Sequence, residues 1–171
     1  MTAPILTTAR LRLAPHTLDD FADSAALWAD ERVTRFIGGR PSTSEEAWAR
    51  LLRYVGHWSL LGFGYWAVRE AASGRFVGEI GFSDFRREMD LPFRDVPEVG
   101  WALSPDAQGQ GFATEAVQAA LAWGAEHFGS PRAWCMIDAE NAPSLRVAER
   151  CGFKPLGPAA YKGAEVLLFD R

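Results

Sequence analysis

The chain has few of the residues that build metal centres and disulfide frameworks. Its 171 residues include only two cysteines and three histidines. Cys135 and Cys151 lack metal-ligand spacing, and nothing indicates an oxidising compartment, so we predict two buried free thiols. Because His16, His57 and His127 are scattered and show no ligand pattern, we predict no metal site.

Long apolar runs, targeting segments and low-complexity tracts are also missing. No stretch is long and apolar enough to span a bilayer, and the N-terminus lacks a signal-peptide pattern, so we expect a cytoplasmic protein with no membrane partner. A net charge of -4 argues against direct nucleic-acid binding. With 48% hydrophobic residues and no linker, the chain is predicted to form one domain over residues 1–171.

The most informative segment is a glycine-rich turn, QGQGFATEA at residues 108–116. It follows a strand-like segment at residues 98–103 and precedes a helical pattern in which Val117, Leu121 and Phe128 recur. Backbone N–H groups at the start of a helix lack intrahelical partners and lie at the positive end of the macrodipole. Because small residues let an anion approach these groups, the turn predicts a ligand that carries phosphate.

Two common phosphate-binding motifs do not fit this turn. A P-loop needs Lys and then Ser or Thr after its last glycine, whereas Gly111 is followed by Phe112 and Ala113. A dinucleotide motif needs a small residue where Thr114 stands and an acidic residue about twenty positions later, where residues 130–132 offer none. ATP and NAD are therefore disfavoured, and a nucleotide-binding domain is the weakest of our hypotheses.

The pattern Q/R-x-x-G-x-G/A does fit residues 108–113. A second motif, N-x-x-S at residues 141–144, precedes a helix predicted to end at Gly152-Phe153. Together and in this order, the two motifs resemble those of the GNAT family of acetyl-CoA-dependent N-acetyltransferases. The resemblance implies acetyl-CoA as cosubstrate, with the loop amides holding its pyrophosphate. The L-x-T-x-R-L-x-L run at residues 6–13, the stretch at residues 57–68 and the Glu115-Ala116 pair look most like the RimJ/RimL branch, which is named for ribosomal-protein N-terminal acetyltransferases.

The predicted elements alternate in a way that suits an α/β fold. Their order is one strand, two helices, three strands, a helix, a strand, a helix and a last strand. We place them at residues 8–13, 18–30, 44–60, 65–70, 76–82, 98–103, 113–128, 132–139, 141–152 and 163–169, with Ser44 as candidate N-cap. This order predicts the GNAT fold, a mixed and mostly antiparallel central sheet with helices on both faces.

The resemblance also implies which residues contact the coenzyme. Its pantetheine arm would pair with the strand before the loop, where a free backbone N–H polarises the thioester carbonyl. The expected coenzyme residues are Trp101, Ala102, Leu103, Gln108, Gly109, Gln110, Gly111, Phe112, Ala113, Thr114, Asn141 and Ser144.

The leaving thiolate needs a proton. Many family members use a tyrosine seven residues after the Asn, and this chain has Ala148 there. In the Rim-type branch the serine of N-x-x-S is thought to serve, so Ser144 is the candidate acid; alternatively it caps the helix or only hydrogen-bonds the coenzyme. Tyr161 is another source of a proton.

The amine must lose a proton before it attacks. Glu98 shares a strand face with Gly100 and Ala102 and is the candidate base, directly or through water; alternatively it is a solvated or ion-paired residue at the strand end. Glu79 and Asp84 are the next candidates. Glu115 lies in the first helical turn and is interpreted as structural. Protein N-termini have a pKa of about 8, so water would suffice for such an acceptor.

We therefore expect an enzyme that transfers acetyl to a primary amine by direct attack in a ternary complex, as a monomer or homodimer. The acceptor is left open between a protein N-terminus, an aminoglycoside and a small polyamine. The loop from Phe85 to Pro97 and the aromatic residues Trp28, Phe36, Trp58 and Phe93 are expected near the acceptor side or in the core. The alternative is a non-catalytic acyl-CoA-binding or regulatory module, because the usual tyrosine is missing.

Overall fold

The structure, a computed structural model, describes residues 3–93 and 95–171. Its strands are β1 Leu6–Thr7, β2 Leu11–Ala14, β3 Tyr65–Glu70, β4 Phe76–Ser83, β5 Glu98–Leu103, β6 Trp134–Ile137, β7 Lys154–Tyr161 and β8 Ala164–Asp170. Its helices are α1 Phe21–Ala29, α2 Glu31–Thr34, α3 Ser44–Leu61, α4 Phe112–Phe128 and α5 Ala142–Arg150, with 3-10 turns at Leu18–Asp20 and Pro105–Ala107. None of these helices has the length and apolar character needed to cross a membrane.

All eight strands form one sheet in the order β1-β2-β3-β4-β5-β6-β8-β7. Neighbouring strands are antiparallel except β5 and β6, which are parallel. Helix α4 packs on one face, where Val99 of β5 joins Val117 and Leu121 in the main core. Helices α1 and α2 pack on the other face, where Ala102 of β5 contacts Leu27 and its neighbours. The predicted α/β fold with a mixed, mostly antiparallel sheet is confirmed.

The N-terminal strand is divided, which the alternating pattern of residues 8–13 did not predict. Strands β1 and β2 form a hairpin in which Leu6 pairs with Leu13. Thr8 makes the turn, because its amide donates to the Leu11 carbonyl and its hydroxyl accepts from the Leu11 amide, both at 2.9 Å. A threonine that satisfies the backbone locally competes with strand pairing in this way.

Helix α3 begins as predicted, but its N-cap is Thr43 and not Ser44. Thr43 is extended, with φ -73° and ψ 165°, and its hydroxyl accepts from the Glu46 amide at 3.2 Å. The Glu46 carboxylate in turn accepts from the Thr43 amide at 2.8 Å. This capping box satisfies two backbone donors at once, which places the cap one residue earlier.

The sequence did not predict β7, the strand at the edge of the sheet. It pairs antiparallel with β8. Strand β8, Ala164–Asp170, is the predicted last strand and is confirmed. Strand β7 contains Pro155 and Pro158 and has mostly exposed side chains, so neither its composition nor its alternation indicated a strand. Proline is tolerated here because the outer side of an edge strand needs no backbone donors.

Two glycines in the middle of helices should respond in opposite ways to alanine. At Gly124 of α4 an added methyl would lie 2.5 Å from the Phe82 ring, whereas at Gly56 of α3 it would meet nothing within 4 Å. We predict that Gly56→Ala raises the free energy of unfolding by about 0.5–1 kcal/mol, since alanine is the better helix former. Gly124→Ala should lower it by about 1–3 kcal/mol through overpacking. Urea denaturation measures both, and shifts of the same sign would contradict the proposed packing of α4.

Candidate active site

Strands β5 and β6 separate in the middle of the sheet. Strand β5 pairs with β4 from Glu98 to Leu103, but with β6 only at Glu98, opposite Trp134. From Gly100 onward, the backbone groups of β5 that point toward β6 have no strand partner there. Buried backbone donors and acceptors require partners, so this gap is suited to a ligand with polar groups spaced like a strand.

The glycine-rich turn borders the same gap. Gly109 and Gly111 have φ of 75° and 80°, in the left-handed region that favours glycine. Two side chains of the turn fold back onto the backbone: Gln108 donates to the Leu103 carbonyl at 3.1 Å and Gln110 to the Asp106 carbonyl at 2.8 Å. The first-turn amides of α4, which begins at Phe112, remain without intrahelical partners, so the turn has the geometry of an anion site.

The second motif positions a serine hydroxyl across the gap from β5. Asn141 is the N-cap of α5, and its side-chain oxygen accepts from the Ser144 amide at 3.2 Å. Ser144 therefore does not cap the helix, and that alternative is wrong. Its hydroxyl oxygen instead accepts from the Trp101 indole N–H at 3.3 Å. Gly152, with φ 82°, follows the helix end as predicted.

These elements enclose one cleft between α2, β5, the turn, the start of α4 and α5. Its lining residues are Arg32, Val33, Arg35, Phe36, Ile37, Trp101, Ala102, Leu103, Ala107, Gln108, Gly109, Gly111, Phe112, Ala113, Thr114, Asn141, Pro143, Ser144, Arg146, Val147 and Arg150. The cleft thus brings together all of the predicted coenzyme residues except Gln110, whose side chain bonds to Asp106.

The charge of the cleft is positive although the chain as a whole is acidic. Among the residues that the structure describes, four arginines line it and no aspartate or glutamate does so. Arg32 is neutralised by Asp30, to which it donates at 2.6 Å. Unpaired backbone donors, arginines and an open strand edge together fit a long ligand with phosphates at one end and amides along its length.

Glu115 connects the N-terminal hairpin to the glycine-rich turn at residues 108–113, the phosphate turn. It accepts from the Thr8 hydroxyl at 2.6 Å and from the amide and Nε of Arg10 at 2.9 and 2.7 Å. Arg10 also donates to the Gln110 carbonyl at 2.9 Å, and its guanidinium lies 4.6 Å from the centre of the Phe112 ring. Burial opposes ionisation of Glu115, but the bonds from Thr8 and Arg10 outweigh it and lower the pKa. This structure agrees with a structural role for Glu115.

Glu98 lies on the opposite face of β5 from Trp101. It is buried and makes two bonds of 2.7 Å with the guanidinium of Arg87, which comes from the loop between β4 and β5. Burial raises the pKa of Glu98, although Arg87 acts in the other direction. The Tyr65 hydroxyl lies beside it over Gly100, where any side chain would collide with the hydroxyl oxygen. Glu98 is therefore an ion-paired carboxylate at the end of the gap where β5 and β6 are still paired.

Glu98 and the candidate acids and bases other than Ser144 are not among the residues that line the cleft. Glu79 is fully buried and bonds to His16 at 3.2 Å and to the Trp28 indole at 2.7 Å. Asp84 pairs with Arg86. The Tyr161 ring stacks under Arg87, 4.9 Å from its central carbon.

Many family members have a tyrosine where this chain has Ala148, and Ala148 is fully buried. Of the side chains facing the cleft, Ser144 is therefore the hydroxyl that the family motif singles out.

The aromatic residues expected near the acceptor divide between core and site. Phe36 lines the cleft, whereas Trp28 and Trp58 are buried in the two cores. Phe85 lies beside Tyr65, 6.4 Å between ring centres, and Phe93 packs against Trp134 at 5.4 Å. Phe93 thus lies near the end of the gap where β5 and β6 are paired.

Sequence reasoning missed the arginines of the site. Arg32 and Arg35 belong to α2 and the residues after it, and no prediction placed that segment over β5. Arg146 and Arg150 lie four residues apart in α5, a spacing that puts both on one helix face and that could have identified them beside N-x-x-S.

Within residues 3–93 and 95–171, no three His, Cys, Asp or Glu side chains are grouped in a way that could hold a metal ion. Cys135 and Cys151 are buried free thiols, as predicted.

Comparison with known proteins agrees with this geometry. The family model described as the acetyltransferase (GNAT) domain matches residues 10–154. The chain belongs to the GNAT acetyltransferase family. Over 167 residues it is 26% identical to the uncharacterised N-acetyltransferase p20 of Bacillus licheniformis, covering 96% of this chain and 91% of that protein. The enzyme is an N-acetyltransferase, and acetyl-CoA is the ligand that the GNAT fold binds.

Solved structures show the same relationship. A GnaT-family acetyltransferase from Bordetella pertussis is 37% identical with a TM-score of 0.85, covering 99% of both chains. An acetyltransferase from Agrobacterium tumefaciens is 27% identical with a TM-score of 0.84, covering 100% of this chain and 95% of that one. The ribosomal L7/L12 alpha-N-protein acetyltransferase RimL, solved in complex with coenzyme A, is 17% identical with a TM-score of 0.79, covering 98% and 97%. At that identity the likeness shows the fold alone.

We predict that Arg10→Met weakens acetyl-CoA binding by about fivefold to tenfold, equivalent to about 1 kcal/mol of lost preorganisation of the turn. Arg12→Met is the matched control, because Arg12 is exposed on β2 outside the cleft lining. Isothermal titration calorimetry measures both dissociation constants. Equal affinity of the two variants would show that the contacts of Arg10 do not position the turn.

Proposed function

We propose that this enzyme transfers the acetyl group of acetyl-CoA to a primary amine by direct attack in a ternary complex. The proposal rests on one observation: the open edge of β5, the phosphate turn and the Ser144 hydroxyl all face a single cleft. Holding donor and acceptor in line there would supply much of the rate enhancement, because attack becomes local.

The donor would be held by the backbone more than by side chains. The first-turn amides of α4 and the turn at residues 108–113 would hold the diphosphate, and the free edge of β5 would pair with the amides of the pantetheine arm. A β5 backbone N–H between Trp101 and Leu103 would donate to the acetyl carbonyl, on which negative charge develops during attack. Acetyl-CoA supplies the activated acetyl group as a thioester.

Ser144 would give the departing thiolate its proton. A hydroxyl has one donor and two acceptor sites, and Trp101 occupies an acceptor site of Ser144. The hydroxyl hydrogen therefore stays available to the cleft, and the indole N–H helps to stabilise the oxygen once it has donated. The N-cap bond from the Ser144 amide to Asn141 holds the residue in the first turn of α5.

Glu98 would receive the proton of the acceptor amine, directly or through a water. Arg87 holds the carboxylate in place, and each carboxylate oxygen keeps a second lone pair for another donor. The raised pKa makes Glu98 a stronger base than an exposed glutamate. Glu98 lies at the end of β5 that pairs with β6, so the proposed role requires the acceptor amine to approach from this end, beside Arg87.

Among acceptors, we favour a protein N-terminus. An N-terminal amine has a pKa of about 8, low enough for a carboxylate or water to deprotonate it. The RimL-like fold and the RimJ/RimL-like motifs at residues 6–13 and 57–68 support the same choice.

Binding and turnover test the proposed reaction. Acetyl-CoA should raise the melting temperature, whereas ATP and NAD should not. Thiol release is then followed across peptides with free N-termini, polyamines and aminoglycosides, with N-acetylated peptides as matched controls. Turnover should appear with free peptide N-termini. Stabilisation by acetyl-CoA without turnover of any amine would instead favour a non-catalytic acyl-CoA-binding module.

Removing the Ser144 hydroxyl should slow the reaction without weakening coenzyme binding. We predict that Ser144→Ala lowers kcat by about 10²-fold, the contribution typical of general acid catalysis, and leaves the Kd of acetyl-CoA nearly unchanged. Ser59→Ala, at an exposed position of α3, is the control and should behave as wild type. An unchanged kcat in Ser144→Ala would show that this serine is not the acid.

The pH dependence of activity in Glu98→Gln should show whether Glu98 acts as the base. Because burial raises its pKa, wild-type activity that needs the ionised carboxylate should be lost as pH falls through a value above 4.5, the ordinary glutamate pKa. At pH 7, where an amine of pKa about 8 is mostly protonated, kcat/KM of Glu98→Gln should fall by about 10²-fold. The deficit should shrink above pH 8, since a free amine needs no base.

The control is Glu88→Gln, an exposed residue of the same loop. A deficit of the same size at every pH would contradict the role of base and indicate that Glu98 only anchors the loop.

A further inference from the structure

Two arginines on one face of α5 have no acidic partner in the described part of the chain. Arg146 and Arg150 both line the cleft, as does Val147 between them, while Glu149 does not. None of the ion pairs formed within residues 3–93 and 95–171 includes either guanidinium. Two positive charges one helical turn apart repel each other, so a site that keeps both suggests an anionic ligand.

Their place in the fold is beside the phosphate turn. The thiol of Cys151, which directly follows Arg150, contacts the Thr114 carbonyl in the first turn of α4 at 3.9 Å. At its other end α5 presents Ser144 to β5. Arg146 and Arg150 therefore extend from the acetyl-transfer region toward the start of α4, along the wall that a bound coenzyme would follow.

The arginines of the opposite wall have other contacts. Arg32 pairs with Asp30, and the Arg35 guanidinium stacks on Phe36 at 4.6 Å, which leaves its charge uncompensated. Of the three arginines of the cleft that lack a carboxylate partner within the described residues, two are therefore on α5.

Coenzyme A has one phosphate group that the turn does not account for. The backbone amides of the turn suit the diphosphate, whereas the 3′-phosphate is a separate monoester with a charge of about -2 at neutral pH and three acceptor oxygens. Arginine is the side chain best suited to such a group, because its planar fork can donate two parallel bonds.

We propose that Arg146 and Arg150 bind the 3′-phosphate and make the enzyme select coenzyme A over 3′-dephospho-coenzyme A. The inference rests on the proposed use of acetyl-CoA as donor.

Calorimetry with the two ligands isolates the 3′-phosphate. Wild-type enzyme should bind coenzyme A about 10- to 100-fold more tightly than 3′-dephospho-coenzyme A, the effect of one or two charge-assisted hydrogen bonds. In Arg146→Met/Arg150→Met this preference should fall below about threefold, with the Kd of the dephospho ligand nearly unchanged, because only the contact to the missing phosphate is lost. Arg146→Lys/Arg150→Lys should show an intermediate preference, since it keeps the charge but not the fork.

The matched control is Arg132→Met, because Arg132 pairs with Asp170 outside the cleft lining and should leave the preference intact. Two results would overturn the inference while leaving acetyl-CoA as donor: equal affinity of wild type for both ligands, or an equal loss of affinity for both in the double variant, which would assign the arginines to the diphosphate. If wild-type enzyme bound neither ligand, the proposed function itself would be contradicted.

Discussion

Strands β5 and β6 share one backbone pairing, Glu98 opposite Trp134, and everything proposed for the site depends on their separation beyond it. A sheet interior normally satisfies its own amides and carbonyls, so an interruption there needs an external partner. On the other side, β4 pairs with β5 along its full length and keeps the interrupted strand in place. The phosphate turn is the continuation of the same strand, so the donor's acyl end and its phosphate end would be held by one continuous segment.

Each face of β5 carries one of the two groups proposed for proton transfer. On one face Trp101 donates to the Ser144 hydroxyl, which joins the coenzyme side to α5. On the other, Glu98 forms an ion pair with Arg87 of the loop between β4 and β5, on the side proposed for the acceptor. Side chains alternate along a strand, so a proton donor and a proton acceptor separated in this way can serve opposite ends of a reaction at the interrupted edge. Arginines of α2, α5 and the segment after α2 line the donor cleft, whereas the Glu98 carboxylate is outside its lining.

Local signals explain why much of this could be predicted from sequence. The glycines of the turn, the Asn141 cap and Gly152 act within a few residues, so their motif predicted the structure correctly. Strand β7 was missed because its pairing with β8 overrides a composition rich in proline, and the N-terminal hairpin because Thr8 satisfies the backbone locally. The pairing of Glu98 with Arg87, and the position of the α2 arginines over β5, depend on contacts between distant parts of the chain. The spacing of residues along the sequence does not predict such long-range contacts.

Hydrogen–deuterium exchange with and without acetyl-CoA tests the central claim most directly, because it reads the backbone amides themselves. The account predicts that acetyl-CoA slows exchange in residues 100–103 of β5 and residues 109–114 of the turn and α4, while the edge strand β7 exchanges as before. Protection confined to other segments, or unchanged exchange of residues 100–103 at saturating acetyl-CoA, would contradict the claim that the open edge of β5 holds the donor.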